Sequence, residues 1–179
     1  MKTLTLLRHA KSGWDDAVAR DFDRPLNAKG HRAAQAVGKQ LRSLGLAFDH
    51  VVASPAQRVI ETIAGLVDGY GAAIDPAWDK RLYLASAATL LDVARESPAD
   101  ADHVLIVAHN PGLEDLVLLL IAEGEARLVA AAEEKYPTAT LAEFTFDVDD
   151  WADIAAGAGT LTRFVRPRDL DPALGPGEE

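Results

Sequence analysis

Along this chain, short apolar runs that stop at charge alternate with longer stretches in which apolar residues recur every three or four positions. The first run, Leu4 to Leu7, ends at Arg8 and predicts a short buried strand. Residues 10–26 are polar, carry Gly13 and Pro25, and predict a loop. Asn27 can then cap a helix from Ala28 to about Leu44, with Ala34, Val37, Leu41 and Leu44 as its apolar stripe and Gly45 at its stop. His50–Ala53 predicts a second strand. Ser54-Pro55 places a capping residue before a proline at the first helical position, and Val59, Ile60, Ile63, Leu66 and Val67 supply that helix's core face. Ser86 caps a predicted helix over 87–96. The unbroken apolar run His103–Ala108 fits a central strand covered on both faces. Asn110-Pro111 repeats the cap-plus-proline start before an almost wholly apolar helix reaching about Ala122. Ala142, Phe144, Phe146 and Val148 alternate with polar residues, predicting a half-exposed strand, and Thr160–Arg166 is a further strand candidate. Strands alternating with helices predict an α/β fold, a largely parallel central sheet flanked by helices. The pattern fits one domain over residues 1–169, with the proline-rich stretch 170–179 as a flexible tail.

Composition narrows the chemistry. The 179 residues include no cysteine, which excludes disulfide scaffolds, cysteine-ligated zinc and a thiolate nucleophile. Twenty-eight acidic against 18 basic side chains leave a formal charge of -10. A field of that sign repels nucleic acid and anionic membranes and disfavours a strongly acidic partner. An anion-binding function would therefore need a local basic pocket. The N-terminal apolar run is too short for a signal peptide, and no stretch reaches membrane-spanning length, so a cytoplasmic protein is expected, with monomer as the default state.

Three predicted strand ends carry candidate chemistry: Arg8-His9 after the first, Ser54 and Arg58 after the second, His109-Asn110 after the run 103–108. Open α/β sheets bind ligands beyond the carboxyl ends of their strands, so these residues can meet in one crevice. Two arginines offer planar, charged forks to phosphate oxygens, and two predicted helix N-termini add positive potential. Histidines between such arginines can act as nucleophile, acid or hydrogen-bond donor. A histidine at a strand end is by itself more often structural. His50 and His103 are read that way, and His31 as a solvated helix residue; the agreement of three strand ends separates His9 and His109 from them.

These residues resemble a known family. Leu6-Leu7-Arg8-His9-Ala10, Ser54-Pro55 with Arg58 and Thr62, and Val107-Ala108-His109-Asn110 resemble the histidine phosphatase superfamily, the three-layer phosphoglycerate mutase-like fold. Arg8-His9-Ala10-Lys11-Ser12, Arg24-Pro25-Leu26-Asn27 and the ending Phe164-Val165-Arg166-Pro167-Arg168 are most similar to its SixA-type phosphohistidine phosphatases. The resemblance implies a phosphatase that forms a phosphohistidine on His9, with Arg8, Arg58 and His109 around the phosphoryl oxygens, Lys11 and Ser12 as further substrate contacts, and no metal or cofactor. It implies a neutral His9 and a protonated His109, their pKa values set apart. The expected substrate is phosphohistidine in a protein, or a small phosphate ester.

The chain departs from the wider family where a glutamate would follow Arg81-Leu82-Tyr83: it has Leu84. An alkoxide leaving group needs such an acid, worth roughly 10² to 10⁴ in rate, whereas a phosphorylated imidazole carries a much better leaving group. Asp15, Asp16, Asp79 and Glu114 are candidate substitutes. The alternatives are a small-molecule phosphatase or mutase of the same superfamily, a phosphate-binding module without turnover, and an aspartyl-phosphate enzyme built on Asp147-Val148-Asp149, whose following residues do not fit.

Overall fold

The computed structural model describes residues 1–13, 17–18 and 20–176. Its elements run β1 (Lys2–Arg8), α1 (Ala28–Ser43), β2 (His50–Ala53), α2 (Gln57–Tyr70), β3 (Ala77–Trp78), α3 (Ala87–Arg95), β4 (His103–Ala108), α4 (Gly112–Leu120), β5 (Ile121–Gly124), α5 (Ala126–Glu134), β6 (Leu141–Phe146), β7 (Gly159–Val165) and α6 (Pro167–Leu170). The seven strands form one mixed sheet in the order β3-β2-β4-β1-β6-β7-β5. β1, β4, β2 and β3 pair in parallel, while β6 lies antiparallel to both β1 and β7.

Strand alternation builds the layers. Leu4 and Leu6 of β1, with Val104 and Ile106 of β4, point into a core shared with α3, α4 and the buried Trp151. Leu7, Leu105 and Val107 point the other way, into a core shared with α1 and α2. The three-layer α/β architecture expected from the sequence is the one observed, and β4 is covered on both faces as its unbroken apolar run required.

Several local expectations change. Ser54 does not cap α2, which begins at Gln57 with Ala56 as its N-cap; the Ser54 hydroxyl is engaged with His109 instead. α4 stops at Leu120 because the next residues pair with β7, so the apolar run to Ala122 is divided between helix and strand. β6 is buried almost throughout, since its polar member Glu143 turns inward to Thr162 and Arg163. α5 and the short strands β3 and β5 add elements that the apolar pattern did not single out. From residue 170, where a flexible tail was expected, the chain completes α6 and makes a 3-10 turn over Pro172–Leu174 that packs on α1; residues 177–179 of that tail lie outside the described residues. No helix among the described residues is long and apolar enough to cross a membrane.

Candidate active site

The sheet order assembles the site. β4 lies between β1 and β2, all three parallel, so their carboxyl ends open side by side. Backbone bonds continue the ladder past the strands: His9 N–H donates to the Ala108 carbonyl at 3.1 Å, and Ser54 N–H to Val107 at 3.1 Å. Arg8, His9, Arg58 and His109 thereby line one cleft of about 920 Å³.

His9 is 7% exposed. Its Nδ1–H donates to the Ala10 carbonyl at 2.7 Å, an atom that can only accept, which leaves the Nε2 lone pair free. Burial, reinforced by His109 and the two guanidinium groups, pushes its pKa down to about 3, so the ring is neutral at pH 7. The loop beneath it is tied from α2, where Thr62 Oγ1 accepts from Ala10 N–H at 2.9 Å and donates to the Arg58 carbonyl at 2.6 Å. Behind it, Ala139 N–H bonds the carbonyls of both Arg8 and His9, and Ala139 adopts φ +57° to do so.

The two arginines are anchored by different means. Arg8 Nη1 donates to the Tyr136 carbonyl at 3.0 Å, which also accepts from Asn110 Nδ2 at 3.0 Å. Tyr136 is itself fixed by its hydroxyl, donating to the Leu6 carbonyl inside the core. Arg58 is 3% exposed and donates from Nη1 to the Asp21 carbonyl and from Nη2 to its carboxylate. The same carboxylate accepts the Tyr83 hydroxyl proton at 2.6 Å, and that bond, with Arg58 beside it, holds Asp21 below the usual carboxylate range.

His109 stacks edge-on against Tyr83, its ring 5.2 Å from that of His9, and shares a 2.7 Å hydrogen bond between Nε2 and Ser54 Oγ. Burial and then Arg58 lower its pKa to about 3, so in the free protein both histidines are neutral rather than split. The protonated His109 implied by the resemblance is not the state of the free protein, because burial and the guanidinium groups act on both rings alike. His109 Nδ1, Arg8 Nε and Arg58 Nε are buried and without a hydrogen-bond partner. Leaving a buried polar group unpaired costs roughly 1–3 kcal/mol, so the three are a cost built into the residues around the cleft.

Lys11 and Ser12 also line the cleft. The Ser12 hydroxyl donates to the Pro25 carbonyl at 2.7 Å, so its proton is committed to folding the loop, whereas the Lys11 side chain is exposed. Of the candidate substitute acids, Asp15 and Asp16 lie outside the described residues. Asp79 is held by Arg81, and Glu114 accepts from the Tyr136 backbone; neither lines the cleft. Leu84 lines its mouth, 56% exposed at φ +52°. Asp147 and Asp149 are not part of the cleft. Asp21, Tyr83 and Tyr136 are site residues that the sequence reading missed, Asp21 because it sits in a stretch with no periodic signal. Despite the chain's net charge of -10, eight described residues lining the cleft are Lys or Arg and one, Asp21, is acidic. The net charge of the chain therefore does not describe this cleft, whose lining is basic.

Comparisons with known proteins bear on the family and the fold. A family model described as "Histidine phosphatase superfamily (branch 1)" matches residues 4–83. An uncharacterised protein of Mycobacterium tuberculosis is 32% identical over 164 residues, covering 90% of this chain and all of the relative. Among solved structures, the SixA protein of Nakamurella multipartitia aligns with TM-score 0.77 at 30% identity, covering 93% of this chain and 96% of that one. The SixA protein of Agrobacterium tumefaciens aligns with TM-score 0.77 at 27% identity over 93% and 98% of the two chains.

Proposed function

The chain belongs to the histidine phosphatase superfamily, and on that premise we propose that it removes the phosphoryl group from phosphohistidine in a protein, through a covalent intermediate on His9 and without a metal. The Nε2 lone pair of His9 attacks phosphorus as the P–N bond to the substrate imidazole breaks, and that imidazole leaves with a proton from solvent. Water then attacks the phosphoryl group on His9, releasing phosphate and regenerating the neutral ring. Two modest displacements replace one difficult step. Arg8 and Arg58 take up charge on the transferring oxygens, and His109 gains basicity once a phosphoryl anion lies beside it, becoming a charged donor where it is needed.

The observation that carries the reading is the tautomer of His9: buried, neutral, with Nδ1–H bound to Ala10 and Nε2 free among cationic side chains. Support for the phosphohistidine substrate comes from the leaving-group side. Leu84 offers no proton, and Asp21, the acidic residue among the described lining, is held ionised by Tyr83 and Arg58. An imidazole departs from such a site more readily than an alkoxide does.

The test is phosphate release from a phosphohistidine peptide in excess chelator, with acid quenching to trap phosphoenzyme. Release in chelator is expected from the wild type, with labelled enzyme accumulating, and neither from His9→Ala. No release, dependence on added metal, or wild-type turnover in the variant would overturn the reading.

A further inference from the structure

The cleft carries more positive charge than a phosphoryl group can use, and part of it lies along one continuous strip. Lys135 stands immediately before Tyr136, whose carbonyl anchors Arg8, so the strip begins beside the phosphoryl site. Glu134, the residue before Lys135, lies 3.9 Å from Arg168 Nη2. Gly175 packs on the Arg168 side chain, where a Cβ on the glycine would lie 3.2 Å from that of Arg168, and its carbonyl accepts from Lys29 Nζ. Lys135, Arg168 and Lys29 all line the cleft, brought there from the end of α5, from α6 and from the first turn of α1.

Charge pairing within the protein leaves most of this strip available. Arg166, also on the cleft, is matched by a two-point bond to Asp169. Lys135 is exposed and has no carboxylate within ion-pair distance among the described residues. Glu134 has a side chain 69% exposed, and at 3.9 Å it holds Arg168 loosely. Like charges gathered on one wall repel one another in the free protein, which is a cost unless an anion settles between them. A phosphoryl group held by Arg8, Arg58 and His109 does not reach residues that line the outer cleft as far as the 3-10 turn.

We propose that this strip binds acidic side chains flanking the phosphohistidine of the substrate, so that the protein prefers phosphohistidine set in an acidic surface or peptide. The inference rests on the phosphohistidine reading above. It gives a role to Arg168 of the Phe164–Arg168 ending, which the phosphoryl chemistry leaves without one.

Two phosphohistidine peptides of equal length test it, one with Asp at the flanking positions and one with Asn. Wild-type kcat/KM is expected to be about fivefold or more higher for the Asp peptide at low salt, with the ratio shrinking as salt screens exposed pairs. In the double variant Lys135→Gln, Arg168→Gln the ratio should fall toward one, and Lys135→Glu should invert it, with unchanged thermal melts showing that each variant folds. A wild-type ratio near one, or a ratio that survives both variants, overturns the proposal, as does an equal loss on both peptides. If neither peptide is hydrolysed, the phosphohistidine reading fails separately. The strip is then judged with 4-carboxyphenyl phosphate against phenyl phosphate, where no carboxylate preference removes it.

Discussion

His9 and Leu84 divide the chemistry of the site between them. The Ala10 carbonyl commits one nitrogen of His9 to a proton and leaves the other as a lone pair, so in the proposed reaction the nucleophile is set by a main-chain atom one residue away. Leu84 is the complementary feature: exposed at the cleft mouth, apolar, and in a backbone conformation that side-chain-bearing residues adopt rarely. If the absence of an acid there sets the leaving-group preference, Leu84→Glu should raise kcat/KM for an alkyl phosphate ester by roughly 10-fold or more while changing phosphohistidine hydrolysis little, general acids being worth ~10² to 10⁴ when well placed. Comparing the two substrates on one enzyme preparation checks this; an equal change in both would show that position 84 acts on fold or access rather than on proton supply. At this scale the sequence was most informative for the side chains that meet in the cleft, Arg8, His9, Arg58 and His109. It was least informative for residues that hold them. Tyr136 acts through its carbonyl and through a hydroxyl reaching 130 positions along the chain to Leu6, and no local pattern encodes either contact.

Between elements, α1 approaches the loop after β1 closely. Asn27, the N-cap of α1, accepts from Gly30 N–H through its side chain and donates its own N–H to the Lys11 carbonyl at 3.0 Å. Gly30 sits against the same carbonyl, and a Cβ there would fall 2.1 Å from the Lys11 oxygen. Gly30→Ala must therefore push the helix start and the His9 loop apart, at an overpacking cost of about 1–3 kcal/mol. The expected outcome is a lower melting temperature together with a kcat/KM loss larger than stability alone explains. A variant with a lower melting temperature and full activity would show that the loop holds its shape without α1. The Asn27 cap was legible because a capping side chain and a glycine stop bracket a clear apolar stripe. The Ser54 cap was not, because the same hydroxyl can satisfy a helix N-terminus or a histidine, and only the position of β4 decides between them. The division of the run 112–122 between α4 and β5 was equally hidden, since continuous apolar sequence fits either state until a partner strand is present.

For the molecule as a whole, two opposing charge distributions coexist: an acidic exterior and a basic cleft. Two buried histidines in that cleft make folding sensitive to pH. His9 and His109 sit at about 3 when folded against 6.5 when free, so between those values the unfolded chain binds protons that the folded one does not. The contribution of these rings to stability is then flat above pH 6.5 and falls as the pH drops below it, by up to about 1.4 kcal/mol per pH unit for each ring; His103, also lowered by burial, acts with the same sign. Melting temperatures between pH 6.5 and 4.5 should decline less steeply in the double variant His9→Gln, His109→Gln than in the wild type, and parallel slopes would contradict the burial argument. The α/β class, the meeting of three strand ends and the four central side chains were readable because main-chain pairing converts sequence order into position; the cleft's charge was not, because net charge carries no geometry. That pairing also works as a ruler. A strand advances about 3.3 Å per residue and alternates its faces, so slipping β4 by one position against β1 would carry His109 beyond contact range and turn it to the wrong side. The tolerance of the chemistry is thus set by hydrogen bonds of the backbone, which do not depend on which apolar residue fills each strand. The spacing between His9 and His109 therefore rests on main-chain geometry, and any apolar residue that keeps the strands paired keeps that spacing.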